Sequence, residues 1–148
     1  MKRSGFLCVF LFVLLSFVPS YAHHLAVVVG KGNDVDGLTS ANLARILTAE
    51  NRRWPDGKNV IIILHRQSVV QMEILRRLGK MSGTELEAFL AAHKDSIFLV
   101  DSDPELLNLV QRTPGAIGLV DVRSINDKVK VVKVDGKLPL EDGYLPHH

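Results

Sequence analysis

The side chains in this sequence best suited to hold an anion are those of Arg66 and Ser68, two positions apart. A guanidinium group can donate two parallel hydrogen bonds to an oxyanion. Ser68 stands just before a helical pattern, where its hydroxyl and the first free N–H groups of the helix also favour negative charge. His65 could extend the same site. The plainer alternative, a helix cap at Ser68 and a salt-bridge partner at Arg66, stays open.

A second group that could receive an anion is the loop Gly30-Lys31-Gly32-Asn33. Consecutive N–H groups in such a loop can form a concave anion-binding nest. The loop lacks the full dinucleotide fingerprint and the context of a phosphate-binding lysine loop, so a simple turn is favoured.

Histidines lie near both ends of the chain, as the pairs His23-His24 and His147-His148. If an export signal is removed after Ala22, the new amino terminus and the imidazole of His23 can chelate a copper ion, with His24 beside them. A histidine pair on a loose terminus is usually only solvated. We therefore predict no metal or other cofactor, and keep copper binding through His23 as a second alternative function.

Catalytic motifs are missing from the sequence. It contains neither a Gly-x-Ser-x-Gly elbow nor a His-Glu-x-x-His helix, and its single cysteine, Cys8, lies in the amino-terminal stretch. The formal net charge of +2 does not suit a nucleic-acid binder. We expect a binding or interaction protein rather than an enzyme.

The elements that must position these groups alternate between apolar runs and helical patterns. The helix after Ser68 carries Val69, Met72, Leu75 and Leu78. This alternation predicts an α/β sandwich with a mixed, largely parallel sheet, in which ligands sit at strand carboxyl ends and helix amino termini. The predicted strands are 25–29, 60–64, 97–100, 116–120 and 129–134, and the predicted helices are 39–48, 68–79, 82–93 and 102–113.

Residues 1–22 have the pattern of a secretory signal peptide. Lys2 and Arg3 precede an apolar run from Phe6 to Val18, and Ser20-Tyr21-Ala22 supplies a small-x-small cleavage pattern. The run is too short to span a bilayer as a helix, so we expect no stable membrane insertion after cleavage. The sequence thus predicts a periplasmic protein with one domain, 23–148.

Three blocks of sequence occur in a familiar order. They are Leu38-Thr39-x-x-x-Leu43-x-x-Ile46-Leu47, then Asn51-x-x-Trp54-Pro55-Asp56-Gly57 with a strand ending in Arg66, then Pro114-Gly115-Ala116-Ile117-Gly118-Leu119-Val120. Over about residues 25–134 they resemble the phosphate-type substrate-binding proteins of ABC transporters. The resemblance implies a type II periplasmic-binding-protein-like fold, a small oxyanion ligand and an ABC permease as partner.

Two departures from that family bear on function. Family members have two lobes, whereas 23–148 is long enough for only one, so the chain resembles a reduced, single-lobe relative. In the family one contact segment reads Arg, a short spacer and Ser-Gly-Thr. Here the stretch from His65 to Gln71 keeps Arg66 and offers Ser68 as the nearest hydroxyl, without the Gly and Thr.

The first functional hypothesis is therefore binding of a small oxyanion, such as phosphate, at Arg66 and Ser68, either weakly or with a partner lobe. The alternative is a ligand-free periplasmic module that kept the fold and serves a membrane sensor or another protein. The sequence leaves open the ligand, the partner and whether the chain forms homo-oligomers.

Overall fold

The computed structural model describes residues 24–146, so the signal-peptide prediction, His23, His147 and His148 lie outside the described residues. Within 24–146, none of the helices has the length and apolar character needed to cross a bilayer. The elements in chain order are β1 (Leu25–Gly30), β2 (Gly37–Leu38), α1 (Ser40–Leu47), β3 (Ile61–His65), α2 (Val69–Leu78), α3 (Gly83–Ala92), β4 (Ile97–Val100), α4 (Asp103–Arg112), β5 (Ala116–Asp121), a 3₁₀ turn (Val122–Ser124), β6 (Val129–Val131) and β7 (Lys133–Val134).

The central sheet has five strands in the order β4-β3-β5-β1-β6. Strand β3 pairs in parallel with β4 and with β5. Strand β1 is antiparallel to both of its neighbours, β5 and β6. Four strands therefore point the same way and β1 opposes them, which confirms the predicted α/β fold with a mixed, largely parallel sheet.

Both faces of the sheet are covered, which explains why its strands are continuous apolar runs. Successive side chains of a strand point to opposite faces. In β1, Val27 and Val29 pack with α1, α2 and α3. Ala26 and Val28 pack on the other face, with Leu106 of α4.

The predicted strand 129–134 is wrong in its extent, because the chain leaves the central sheet at Val132. Strand β6 pairs with β1, whereas β7 pairs in parallel with β2 in a separate two-stranded sheet. The hydroxyl of Tyr144 lies at the break, where it accepts from Val27 N–H at 3.0 Å and donates to Val132 C=O at 2.6 Å. This hydroxyl replaces one rung of the β1–β6 ladder.

Helix caps fix where the helices begin, as the sequence predicts. Each cap accepts a hydrogen bond through its side-chain oxygen from the backbone N–H three residues later. The caps are Thr39, Ser68, Ser82 and Ser102. Ser68 follows the end of β3 and Ser102 follows the end of β4. Because β3 and β4 are parallel, the amino termini of α2 and α4 face the same carboxyl edge of the sheet.

Candidate binding site at the carboxyl edge of the sheet

A cavity of about 220 Å³ lies at this carboxyl edge. The ends of β3 and β5, the start of β1 and the first turns of α2 and α4 all contribute to it. Its lining residues are Leu25, His65, Ser68, Val70, Gln71, Asp103 and Asp121.

Asp103 joins the elements around the cavity. One carboxylate oxygen lies 3.4 Å from His65 Nδ1. The other accepts from Ser124 Oγ at 2.9 Å and from Asp121 N–H at 3.3 Å. Asp103 is also the first residue of α4, where a negative charge is favoured by the helix dipole. A single carboxylate thus links β3, β5 and α4 and holds the rim of the cavity in place.

Gln71 forms the back of the cavity. Gln71 is 1% exposed, and apart from the aromatic residues that carry a polar atom it is the one buried polar residue among those described in 24–146. Its Oε1 accepts from His65 N–H at 2.9 Å, and its own backbone N–H donates to Ser68 Oγ at 3.2 Å. Gln71 therefore braces the end of β3 against the first turn of α2.

Arg66 does not share this cavity with Ser68 in the structure. Its backbone N–H extends the β3–β4 ladder by donating to Val100 C=O at 2.8 Å. The guanidinium group reaches across β4, with Nη2 3.3 Å from Leu99 C=O and Nε 3.7 Å from Asp101 Oδ1. There it lines a different cavity, together with residues of α3 and β4. An anion-binding role for Arg66 with Ser68 stays a prediction.

The walls of the cavity differ in their electrostatics. On one side, Ser68 caps α2, and the first-turn N–H groups of Val69 and Val70 have no acceptor within the helix. On the other side stand the carboxylates of Asp103 and Asp121. Hydrogen bonding to Asp121 raises the pKa of Arg123, whose Nη2 lies 2.9 Å from that carboxylate. The cavity suits a small group with oxygen acceptors facing α2 and a proton or cation facing the acids.

The other candidate residues that the structure describes are not among those that line this cavity. His24 is partly buried, and its C=O accepts from Val122 N–H at 3.0 Å. In the range 24–146 the structure shows no cluster of three or more His, Cys, Asp or Glu side chains suited to a metal. The loop starting at Gly30 forms a turn, in which Asn33 N–H donates to Gly30 C=O at 3.0 Å. It lines a cavity of about 190 Å³ that Lys58 also contacts.

Sequence reasoning missed Gln71 because it followed only the apolar residues of α2, of which Met72, Leu75 and Leu78 do pack against the core. The buried residues of this helix are Gln71, Ile74 and Leu75, whereas Val69 is 81% exposed. The spacing of Gln71 from Ile74 and Leu75 matches one helix face, and this was the available signal. Asp103 reads in the sequence only as a helix-opening acid, which it is, but its link to His65 depends on tertiary contacts.

No protein-family model matches this sequence. Among solved structures, an ABC-type phosphate transport receptor from Vibrio cholerae is similar, with a TM-score of 0.64 and 18% identity over 80% of this chain and 49% of that one. A protein described as a putative phosphate ABC transporter substrate-binding protein, from Clostridium perfringens and solved with bound phosphate, gives 0.65 and 22% over 80% and 48%. PstS from Borrelia burgdorferi gives 0.58 and 20% over 78% and 49%.

This likeness confirms that the fold is the one implied by the resemblance in sequence. The chain spans about half the length of the structures that it matches.

Proposed function

We propose that this chain is a periplasmic solute-binding lobe that holds a small oxyanion, with phosphate as the first candidate, at the amino terminus of α2. The observation that carries the proposal is the cavity at the carboxyl edge, onto which Ser68 and the first turn of α2 open. The fold shared with phosphate-binding receptors supports the same class of ligand. An ABC permease or a membrane sensor is the partner that this function implies, and no catalytic step is involved.

The first turn of α2 has the donors that an oxyanion needs. Ser68 Oγ accepts from Gln71 N–H, and Ser68 C=O accepts from Met72 N–H at 3.1 Å. The N–H groups of Val69 and Val70 precede these and are left to face a ligand. A charge at a helix amino terminus gains only about 0.3–1 kcal/mol near the surface. We therefore expect weak binding, about millimolar, unless a second lobe or a second copy covers the ligand.

Arg66 can strengthen this site by moving its guanidinium group from its position beside Leu99 and Asp101 toward Ser68. Its side chain is 59% exposed, and both of its side-chain contacts are long, at 3.3 Å and 3.7 Å. Exposed ion pairs of this kind contribute about 0.2–1 kcal/mol, so an oxyanion can compete with them for the guanidinium group. The position of Arg66 two residues before the cap keeps it within one turn of the site.

Titration calorimetry of the purified chain with inorganic phosphate, and separately with sulfate, tests the proposal. We expect phosphate binding that Arg66→Ala weakens by about tenfold, since a hydrogen bond to a charged group contributes about 1.5–3 kcal/mol. Ser68→Ala should weaken binding further by disturbing the first turn. The control is Arg53→Ala, which removes an exposed arginine before the opposite end of β3. Binding of neither anion at millimolar concentration would overturn the proposal.

A ligand-free interaction module is the second candidate, and one surface favours it. Strand β4 is an edge strand that pairs only with β3 within 24–146. Phe98 on β4 is 45% exposed and lines a cavity of about 370 Å³ together with Leu90 and Ala91 of α3. The test is co-purification of the chain with a membrane sensor. If neither anion binds, and Phe98→Ser abolishes that co-purification, this candidate replaces the first. Copper binding through His23 stays a prediction outside the described residues.

A further inference from the structure

The side-chain amide of Gln71, at the cavity, makes one hydrogen bond through its oxygen and none through its nitrogen within 24–146. We propose that Gln71 is a ligand-contact residue whose side-chain Nε2 donates a hydrogen bond to an oxygen of the bound group. The ligand class is a small group with exposed oxygen acceptors, of the phosphate, sulfate or carboxylate type. This inference rests on the proposed function, because it places the ligand in the same cavity.

The orientation of the Gln71 amide follows from its neighbour. The backbone N–H of His65, 2.9 Å away, is a donor and has no acceptor capacity. The amide oxygen must therefore face His65, because the reversed amide would set two donors against each other. Its NH2 group consequently points away from His65 N–H within the amide plane.

That NH2 group makes no hydrogen bond to any of the described residues 24–146. Among the described residues 24–146, Ser96 Oγ is the one side-chain polar atom that is fully enclosed and has no partner. The unpartnered Nε2 of Gln71 is therefore not fully enclosed. Gln71 is among the residues that line the cavity, and the proposed contact places its NH2 group on the cavity side. A side chain that is 1% exposed yet keeps a donor facing a cavity is arranged to meet something bound there.

A purely structural role would require less of this residue. Supporting His65 N–H needs only the side-chain oxygen, which a glutamate supplies equally well. The NH2 group has a use only if an acceptor enters the cavity. Gln71→Glu therefore separates the two roles, since it keeps the length of the side chain and the bond to His65 but replaces the donor with an acceptor.

The matched control is Gln67→Glu, because Gln67 is an exposed glutamine at the same edge, four positions before Gln71. Both variants add one negative charge near α2. In phosphate titrations we expect Gln71→Glu to weaken binding by about tenfold or more and Gln67→Glu by about threefold or less. Circular dichroism checks that both are folded. If Gln71→Glu does not fold, the side-chain NMR signals of Gln71 in the wild-type chain carry the test.

Side-chain amide NMR signals of Gln71 in the 15N-labelled wild-type chain provide a direct readout. Phosphate, sulfate, acetate and glycine are added separately. A shift of the Gln71 NH2 signals with phosphate supports the contact. Phosphate binding with unmoved Gln71 signals, equally tight in Gln71→Glu, overturns this inference and leaves the proposed function standing. A response to glycine or acetate alone overturns phosphate-type binding but keeps Gln71 as a contact. No response to any of the four overturns both.

Discussion

Two buried polar side chains, Tyr144 and Gln71, each supply a hydrogen-bond partner to the backbone of a central strand. The Tyr144 hydroxyl uses both its acceptor and its donor, toward Val27 and Val132. The Gln71 amide uses its oxygen toward His65 and leaves its nitrogen facing a cavity. The Tyr144 hydroxyl, with its donor and an acceptor site both bonded, closes the β1–β6 seam. The Gln71 amide keeps its nitrogen unbonded at the carboxyl edge, where we propose that a ligand binds.

The surroundings of the two side chains differ in the same sense. Around Tyr144 lie apolar residues of the core, and burial raises its pKa to about 12 despite the hydrogen bond from Val27 N–H. Around Gln71 lie the partly exposed His65 and Asp103, together with Asp121. The neutral, fully bonded Tyr144 hydroxyl stabilises the fold. The ionisable groups near Gln71 are partly exposed to solvent, so they can interact with a bound ligand.

Removing the Tyr144 hydroxyl should have the largest effect on the fold. Tyr144→Phe leaves Val27 N–H and Val132 C=O without their partner, and each buried group left unpaired costs about 1–3 kcal/mol. We expect a loss of about 3 kcal/mol in the free energy of unfolding, measured by urea denaturation. A loss below about 0.5 kcal/mol would show that this seam is no better satisfied than the carboxyl edge.

Alkaline pH should weaken the same seam by a similar amount. The folded pKa of Tyr144, about 12, lies above the unfolded value of about 10. The neutral phenol is thus favoured in the folded state, so its stabilisation is complete below pH 10 and is lost as the pH rises toward 12. A difference of two in pKa corresponds to about 2.7 kcal/mol. The free energy of unfolding, measured by urea denaturation across this pH range, should fall more steeply with pH for the wild type than for Tyr144→Phe.

At the carboxyl edge, Asp103→Asn should change binding more than stability. Removing one negative charge from the acidic wall lowers the repulsion of an oxyanion, so phosphate should bind roughly threefold more tightly. The partly buried contacts with His65 and Ser124 are weakened, at a cost of about 1 kcal/mol. Calorimetry and thermal melting measure the two effects. Weaker phosphate binding in this variant would mean that Asp103 accepts a proton from the ligand instead of repelling it.

The smallest effect is expected at Glu73, a partly exposed contrast to both buried groups. Hydrogen bonds from Arg76 and Arg77 lower the pKa of Glu73 to about 2. The folded pKa lies below the unfolded one, so this stabilisation is present at neutral pH and is lost as the pH falls from about 4.5 toward 2. Melting temperatures of Glu73→Gln and wild type should nearly coincide at pH 7 and converge fully in acid. A large difference at pH 7 would contradict the view that exposed pairs contribute little.

Local signals were sufficient for the helix caps and for most strands. Ser68, Ser82 and Ser102 cap as their spacing predicts, because a cap depends on residues within one turn. Alternation of apolar runs with helical patterns was sufficient for the layered fold. The short pairing of β2 with β7 was missed, since each of these strands has two residues and no pattern of its own.

The two polar side chains that matter most were beyond the reach of local patterns. Tyr144 is 117 positions from the backbone N–H that it meets, and it ends the strand at Val132 where apolar residues continue. In α2, the apolar Val69 lies toward solvent, whereas the polar Gln71 is buried. Packing against the sheet, rather than the order of apolar residues within the helix, decides which way Gln71 faces.

The place of β1 in the sheet has a consequence for how the chain folds. The first strand described lies between β5 and β6, with Leu25 opposite Asp121. During synthesis from the amino end, the middle of the sheet must wait until nearly all of these residues have emerged. Contacts so distant along the chain require closure of long loops and slow the folding reaction. Until β5 arrives, β1 has no strand to pair with, and chaperones have time to bind its apolar residues.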